Sequence, residues 1–515
     1  MRSCVVRRRF WATEADNAVV NIDTEPGFGT PKAAILNMIE CSADVDAFDT
    51  TLANRNLGII FVGPKGDGTS TIYIVSATSV MLDASGNAAC SRRTHNTEFQ
   101  FTNSSGTVSY YRATGAAFVN DGMTITFTNQ TPQTNGHIEA ICTFFTGDDL
   151  TVGVGTHAVS TASATQNSFS GFNFQPDTMF FSSSVAGNIG NVNNDDFRIS
   201  WGAATRLPFK QYVVGYHSEG TGGAVTPMNL AAWSSDNSVV YYNTNTSVSD
   251  ANWTLNSIDA TGFTITTDDT IGPGSTNIIN FLALKSSTPT DFALVGLSSA
   301  TATGNQFTGL GITGFVPKTI IGGATNATTY NLRVTTSPGA DCISMFAGSR
   351  SADSKYFPGL GTLTSSTASA TVTGTGTSFF RMAPGFKLYT LNNQLIGTVS
   401  SVSSATSITL TGNASVTQSP TAGWVYSDSG AYCLTFGDND GAATSAVHSR
   451  ITTSLFATVN GATPSIIDQA SLTNFDTRPG FNLNFTTSSG TAKLGWIMAI
   501  KDNYPSGANR RRQPI

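Results

Sequence analysis

Apolar residues recur along this chain in two patterns, strict alternation and short unbroken runs, and both are strand patterns. Gly122-Met123-Thr124-Ile125-Thr126-Phe127 and Gly262-Phe263-Thr264-Ile265-Thr266 alternate with a period of two, as a strand with one buried face requires. Gly58-Ile59-Ile60-Phe61-Val62 and Phe281-Leu282-Ala283-Leu284 are continuous, as strands buried on both faces are. No window of about 12 residues sustains a 3.6-residue apolar period, so helices are expected to be short and few.

Superimposed on this pattern is a longer repeat. Gly27-Phe28-Gly29-Thr30-Pro31 followed by Lys32-Ala33-Ala34-Ile35-Leu36 has relatives at Gly171-Phe172-Asn173-Phe174-Gln175-Pro176-Asp177-Thr178-Met179-Phe180-Phe181 and at Gly314-Phe315-Val316-Pro317-Lys318-Thr319-Ile320-Ile321. Each is an aromatic, then a proline, then an apolar run. Proline cannot donate to a sheet ladder, so it is expected where a strand begins, with the run entering the sheet and the aromatic packing at the end of the sandwich. Closing strands follow in the same order in all three copies, the last pair being Gly480-Phe481-Asn482-Leu483-Asn484-Phe485 and Gly495-Trp496-Ile497-Met498-Ala499-Ile500. Self-similarity of this kind marks a tandem architecture. The expected fold is all-β: three tandem antiparallel, jelly-roll-like β-sandwich repeats at 14–147, 148–286, and 287–358 with 429–502, between a basic N-terminal arm (1–13) and a basic C-terminal tail (503–515).

The third copy is longer than the others between its proline stretch and its closing hairpin. Residues 359–428 account for the excess, and Ala370-Thr371-Val372-Thr373 and Ser407-Ile408-Thr409-Leu410 alternate Val, Ile and Thr as a small β-barrel or sandwich domain does. The run from Thr371 to Phe379, the turn at Gly385, and Gly397-Thr398-Val399 leading into Ser407–Leu410 resemble a small β module of bacteriophage tail, fibre and neck proteins. The proline stretches and closing hairpins are likewise similar to repeats in phage structural proteins. That resemblance implies a virion structural component, in the tail, baseplate, fibre or capsid decoration, acting through contacts with other virion proteins and copies of itself, and it transfers no functional residue.

Composition agrees with many short strands and tight turns. Of the 515 residues only 12% are charged, against about 25% in an ordinary soluble protein, and there are 50 glycines. The formal net charge is −6, but setting aside seven arginines near the ends (Arg2, Arg7, Arg8, Arg9, Arg510, Arg511 and Arg512) takes the remainder to −13. Docking of Arg7–Arg9 and Arg510–Arg512 onto an acidic face of a neighbouring subunit is the functional expectation, solubilising ends the plain one. Nucleic acid is not expected as a partner, because no groove-reading motif accompanies these arginines. Arg7-Arg8-Arg9 also interrupts any apolar signal segment, and no stretch reaches the ~18 apolar residues of a spanning helix, so neither export by that route nor membrane insertion is expected.

Candidate chemistry is sparse, and neither an enzyme activity nor a cofactor is expected. The six cysteines include no Cys-x-x-Cys pair and read as buried thiols, with Cys342 and Cys433 the pair to watch for a disulfide. His95, His137, His157, His217 and His448 lack metal-ligand spacing and read as surface or turn residues. Asp195-Asp196 and Asp268-Asp269 could each lend a carboxylate to a glycosidase, but adjacent strand residues point to opposite faces, which favours a solvated turn. Gly437-Asp438-Asn439-Asp440-Gly441 has the alternating oxygens of a calcium loop but lacks the downstream bidentate Glu. Tyr212, Tyr216, Trp233, Tyr241 and Tyr242 form the densest aromatic group, which would stack on a host-surface glycan if exposed and fill a core if not. The alternatives to the structural role are thus a receptor- or glycan-binding adhesin and, behind it, a polysaccharide-degrading enzyme.

Overall fold

A computed structural model describes residues 1–501 except 12–18, 26, 44–45, 50–51, 83–89, 104–105, 107–108, 131–132, 134–135, 161, 185–188, 191–195, 220–229, 243–250, 269–275, 311–314, 332–341, 350–355, 360, 378, 380–381, 383, 393, 405, 428–429, 438–447, 461–463 and 476–478. Among the described residues its elements are strands together with a 3-10 turn at Pro289–Asp291, and no helix is long and apolar enough to cross a membrane.

Unit 1 contains β1 (Arg2–Trp11), β2 (Val19–Asp23), β3 (Ala33–Cys41), β4 (Phe48–Asp49), β5 (Asn54–Pro64), β6 (Ile72–Leu82), β7 (Cys90–His95), β8 (Phe99–Thr102), β9 (Ser109–Val119), β10 (Gly122–Gln130) and β11 (His137–Thr146). Unit 2 contains β12 (Thr151–Ser160), β13 (Gln166–Ser170), β14 (Thr178–Ser183), β15 (Asp196–Arg206), β16 (Phe209–Glu219), β17 (Leu230–Ser235), β18 (Val240–Tyr242), β19 (Ala251–Asp259), β20 (Gly262–Thr267) and β21 (Thr276–Lys285). Unit 3 opens with β22 (Phe292–Ser298), β23 (Gly304–Gly309), β24 (Thr319–Thr325) and β25 (Cys342–Ser349). The inserted strands follow: β26 (Tyr356–Pro358), β27 (Thr362–Ser365), β28 (Thr371–Thr375), β29 (Lys387–Thr390), β30 (Leu395–Ser404), β31 (Ser407–Leu410), β32 (Gln418–Ala422) and β33 (Trp424–Ser427). Unit 3 resumes with β34 (Ala431–Gly437), β35 (His448–Thr452), β36 (Phe456–Asn460), β37 (Ser465–Asn474), β38 (Gly480–Thr487) and β39 (Leu494–Ile500).

The three units share one strand order. The large sheets run β1-β11-β3-β5-β6-β7, β12-β21-β14-β15-β16-β17 and β22-β39-β24-β25-β34-β35, and the small ones β2-β10-β9-β8, β13-β20-β19-β18 and β23-β38-β37-β36. First strand pairs with last and second with last but one, which is the jelly-roll feature. The strands between run as simple meanders, which is not. Each proline stretch has the same place: the residue after the proline donates its N–H to the closing strand, Lys32 to Phe145 O (2.8 Å), Asp177 to Leu284 O (2.9 Å) and Lys318 to Ile500 O (2.9 Å). The preceding Phe28, Phe172 and Phe315 are buried.

The inserted strands form an eight-stranded sheet from Tyr356 to Ser427, three residues earlier than the pattern of Val, Ile and Thr suggested. The insert leaves the hairpin of β25 and β34, whose strands still pair directly, Gly348 with Ala431, and its own ends pair Tyr356 with Ser427. It therefore enters and exits at neighbouring points.

The units close on one another in a ring. Strands β5 and β6 of unit 1 pack on β12 and β21 of unit 2, β15 and β16 of unit 2 on β22, β24 and β39 of unit 3, and β25 and β34 of unit 3 on β1 and β11 of unit 1. The contacts permute cyclically, so each large sheet has its own small sheet on one face and the other two units on the other. That second face explains why the large sheets carry continuous apolar runs whereas the small sheets alternate. Val5, Phe61, Phe145, Phe180, Trp201, Leu282, Ile321, Trp496 and Met498 belong to one continuous core shared by all three units.

One feature of the N-terminus corrects the expectation. Residues 2–11 are strand β1, buried from Ser3 to Phe10, and not an arm preceding a sandwich that starts at 14. The tail at 503–515 lies outside the described residues.

Candidate functional site

The seam between units 3 and 1 holds a cluster of buried charge. Arg7 and Arg9 are two apart on β1, so both point to the same face of the sheet, and His137 and Glu139 do so on β11. The register places Arg9 opposite Glu139, and His137 opposite Cys41 of β3. Arg7 Nη2 and Arg9 Nε both donate to Glu139 Oε1. Cys41 Sγ lies 3.4 Å and Glu139 Oε1 3.3 Å from His137 Nε2. Arg7 Nη1 also donates to Met382 O of the insert at 3.4 Å. Burial alone would raise the pKa of Glu139, but the two guanidiniums outweigh it and hold the carboxyl well below its usual range. Burial, helped by Arg9, keeps the His137 imidazole neutral, and burial together with the Glu139 charge pushes the Cys41 thiol well up.

This chemistry is structural. Cys41 Sγ, His137 Nε2 and Glu139 Oε1 lie within 4.8 Å of one another, as three ligands of a metal would. However, the oxygen is already taken by two guanidiniums, and a dication beside them would add charge to a net-cationic buried cluster. A nucleophilic thiol needs a depressed pKa and access, and Cys41 has neither. The arrangement fits a desolvated ion-pair cluster that fixes β1 against β11 at the seam. By register from the proline stretches, Arg7 and Arg9 correspond to Thr156 and Ala158 in unit 2 and to Gly296 and Ser298 in unit 3. Of these equivalent positions, those at the seam between units 3 and 1 carry the charge, and the chain does not run directly across that seam as it does from unit 1 to unit 2 and from unit 2 to unit 3.

The same seam has a strap. Residues 46–49 of unit 1 cross to unit 3, where β4 pairs with β35 as a seventh strand of that large sheet. Asp46 N donates to Ile451 O at 2.8 Å, and its carboxylate accepts from Thr452 Oγ1 at 2.5 Å and lies 3.6 Å from Arg450 Nη2. The other seams repeat the backbone bond: Gly190 N donates to Thr94 O (2.8 Å) and Asn331 N to Ser234 O (2.9 Å). Asp46, Gly190 and Asn331 all adopt left-handed backbone, with φ of 65°, 78° and 59°. Gly, Asn and Asp are the residues that tolerate it.

The remaining candidates fall elsewhere. Arg7, Arg8 and Arg9, expected to dock on a neighbouring subunit, are buried, and Arg8 Nε donates to Asn21 O at 3.2 Å on the other face of the sheet. A buried, paired guanidinium cannot serve as a surface tail. Arg510, Arg511, Arg512, Asp438, Asn439 and Asp440 lie outside the described residues, as do Asp195 and Asp269, while Asp268 accepts from Thr254 Oγ1 at 2.9 Å. The aromatic group of unit 2 is not an exposed platform: Tyr216, Trp233 and Tyr241 are 1%, 6% and 3% exposed, Trp233 stacks on Tyr241 at 5.0 Å, and Tyr212 packs on Tyr330 across the seam to unit 3. Tyr242 ends strand β18. His95, His137 and His217 are buried and not at the surface, because both faces of the large sheets are covered where they stand, and His157 on β12 is half-buried. All six cysteines, Cys342 and Cys433 included, are buried free thiols.

A cleft of about 570 Å³ opens at the seam between units 1 and 2, between the β5–β6 hairpin and the start of β12. No family model, no curated protein and no solved structure matches the chain.

Proposed function

We propose that this protein is a structural component of a bacteriophage virion, in the tail, baseplate, fibre or capsid decoration, and that it works through assembly contacts with other virion proteins and with copies of itself. The observation that supports the reading is the ring. Three sandwiches in one chain share a core and repeat the same seam, so one polypeptide provides the cyclic interface that a homotrimer would otherwise make. Buried hydroxyls at two of the seams serve closure: Thr94 pairs with Ser184 and Ser234 with Thr325, each at 2.9 Å. The phage assignment draws on the likeness of the insert to a phage β module, and the virion is the location it entails. A contact with the host surface belongs to the same reading.

Native mass spectrometry and sedimentation at graded salt test it. A homo-oligomer or lattice is expected, and replacing Arg510, Arg511 and Arg512 with serine lowers assembly while the melting temperature stays constant. An obligate monomer at high protein concentration overturns the proposal.

A further inference from the structure

The cleft between units 1 and 2 is a built feature. Asn173 N donates to Gly66 O at 2.9 Å, which pins the β5–β6 hairpin of unit 1 to the proline stretch of unit 2, and Phe172 packs against Gly66 and Gly153 so closely that a side chain at either glycine would collide with its ring. The Asp67 carboxylate accepts from Thr69 N and Oγ1 at 3.0 and 2.7 Å and fixes the turn further. The hairpin at the same place in unit 2 has only Leu207 and Pro208 between its strands, and in unit 3 it carries the inserted domain, so this wall is particular to unit 1.

Its lining has two characters. Phe118 and Ile72 offer half-buried apolar faces, whereas Thr69, Ser70, Thr151 and Asn173 present exposed hydroxyls and an amide around them. The charged groups are already engaged: the Lys32 ammonium donates to Leu150 O at 3.0 Å, and Lys65 at the rim lies 3.5 Å from Asp67. A cation would find no carboxylate here but Asp67, which Lys65 and Thr69 already engage, and a purely apolar ligand would displace water from the hydroxyls and the amide without replacing its hydrogen bonds. A sugar ring matches both characters, with C–H faces that lie on an aromatic and hydroxyls on its perimeter. The volume falls in the range of about 300–1,000 Å³ usual for ligand sites, and an interface between structural units is a usual place for one.

We propose that this cleft binds a neutral oligosaccharide. The site is independent of the buried aromatic group of unit 2, and it does not depend on whether the chain assembles. Saturation-transfer NMR on the full chain, with neutral trisaccharides of glucose, galactose, mannose and N-acetylglucosamine as probes, tests it. At least one binds, Asn173→Ala raises its Kd tenfold or more, and Ser70→Trp, which fills the cleft from an exposed position, abolishes binding with an unchanged melt. Absence of binding across the panel at millimolar concentration overturns the proposal. So does binding that survives both substitutions, or equal binding of an anionic trigalacturonate. Native mass on the same samples separates this outcome from that of the assembly reading.

Discussion

Trp496 of unit 3 donates its indole N–H to the backbone oxygen of Trp201 in unit 2 at 3.1 Å, while Trp201 donates its own to Gly322 O of unit 3 at 3.2 Å. The Trp201 ring lies 5.7 Å from Phe180 of its own unit, 5.2 Å from Trp496 and 6.0 Å from Phe61 of unit 1. One side chain thus touches aromatic rings from all three units, and its single polar atom is satisfied. A Cβ on Gly323 would come within 2.8 Å of this indole and 2.6 Å of Val214, so the glycine there is a space requirement.

Trp201→Ala is expected to cost about 3–5 kcal/mol, the usual penalty for a large buried aromatic. Because the cavity opens where three units meet, the denaturant transition shifts as a whole. A variant in which unit 2 alone melts early would contradict the shared core.

Glu139→Gln leaves Arg7 and Arg9 buried without their counter-charge, and a loss of about 3–5 kcal/mol at pH 7 is expected. The folded-state pKa of Glu139 is depressed, so its contribution is present above the ordinary carboxylate pKa and is lost as pH falls toward the folded value. Chemical denaturation of the two proteins at a series of pH values should show the gap closing in acid. A gap that is constant with pH would show that packing, not ionisation, carries the effect.

Glu40 behaves in the opposite sense. It faces the small sheet of unit 1, beside Asn56 Nδ2 at 2.6 Å, and burial raises its pKa to about 8 despite hydrogen bonds from Gln133 and Asn56. The folded state therefore holds a proton that the unfolded state releases near pH 4.5. Stability falls as pH rises through that window to about 8, by at most about 1.4 kcal/mol per pH unit. Glu40→Gln should flatten this slope and raise the melting temperature at pH 8 more than at pH 5.

Asp46→Ala removes both the strap carboxylate and a residue suited to left-handed backbone, at an expected cost of about 1–3 kcal/mol. Asp46→Asn keeps the backbone preference and should recover part of it. Hydrogen exchange is the discriminating measurement: protection should drop at β4 and β35 while the seams at Gly190 and Asn331 keep theirs.

Replacing residues 356–427 by a short turn between β25 and β34 should leave the ring folded, since those strands already pair at Gly348 and Ala431. A cooperative melt should persist, lowered slightly by the lost contact of Arg7 with Met382 O. Aggregation of the shortened chain would mean that the insert covers core surface.

Strand character, the repeat and the insertion were legible in the residues themselves, because each is local. Period-two alternation, a proline ahead of an apolar run and an unusual length between two motifs are all properties of neighbouring residues. The uses of Arg7, Arg9, Glu139, His137 and Cys41 were not, although a period-two reading of Arg7 with Arg9 and of His137 with Glu139 puts each pair on one face. Opposite charges two residues apart on distant segments identify partners only once strand order brings β1 beside β11 and β11 beside β3. The same holds for Trp233, Tyr241 and the histidines: a strand pattern says which residues share a face, but not whether that face meets water or another sheet. Ring closure decided that, burying both faces of each large sheet and converting what reads as a basic terminus into the first strand of the core.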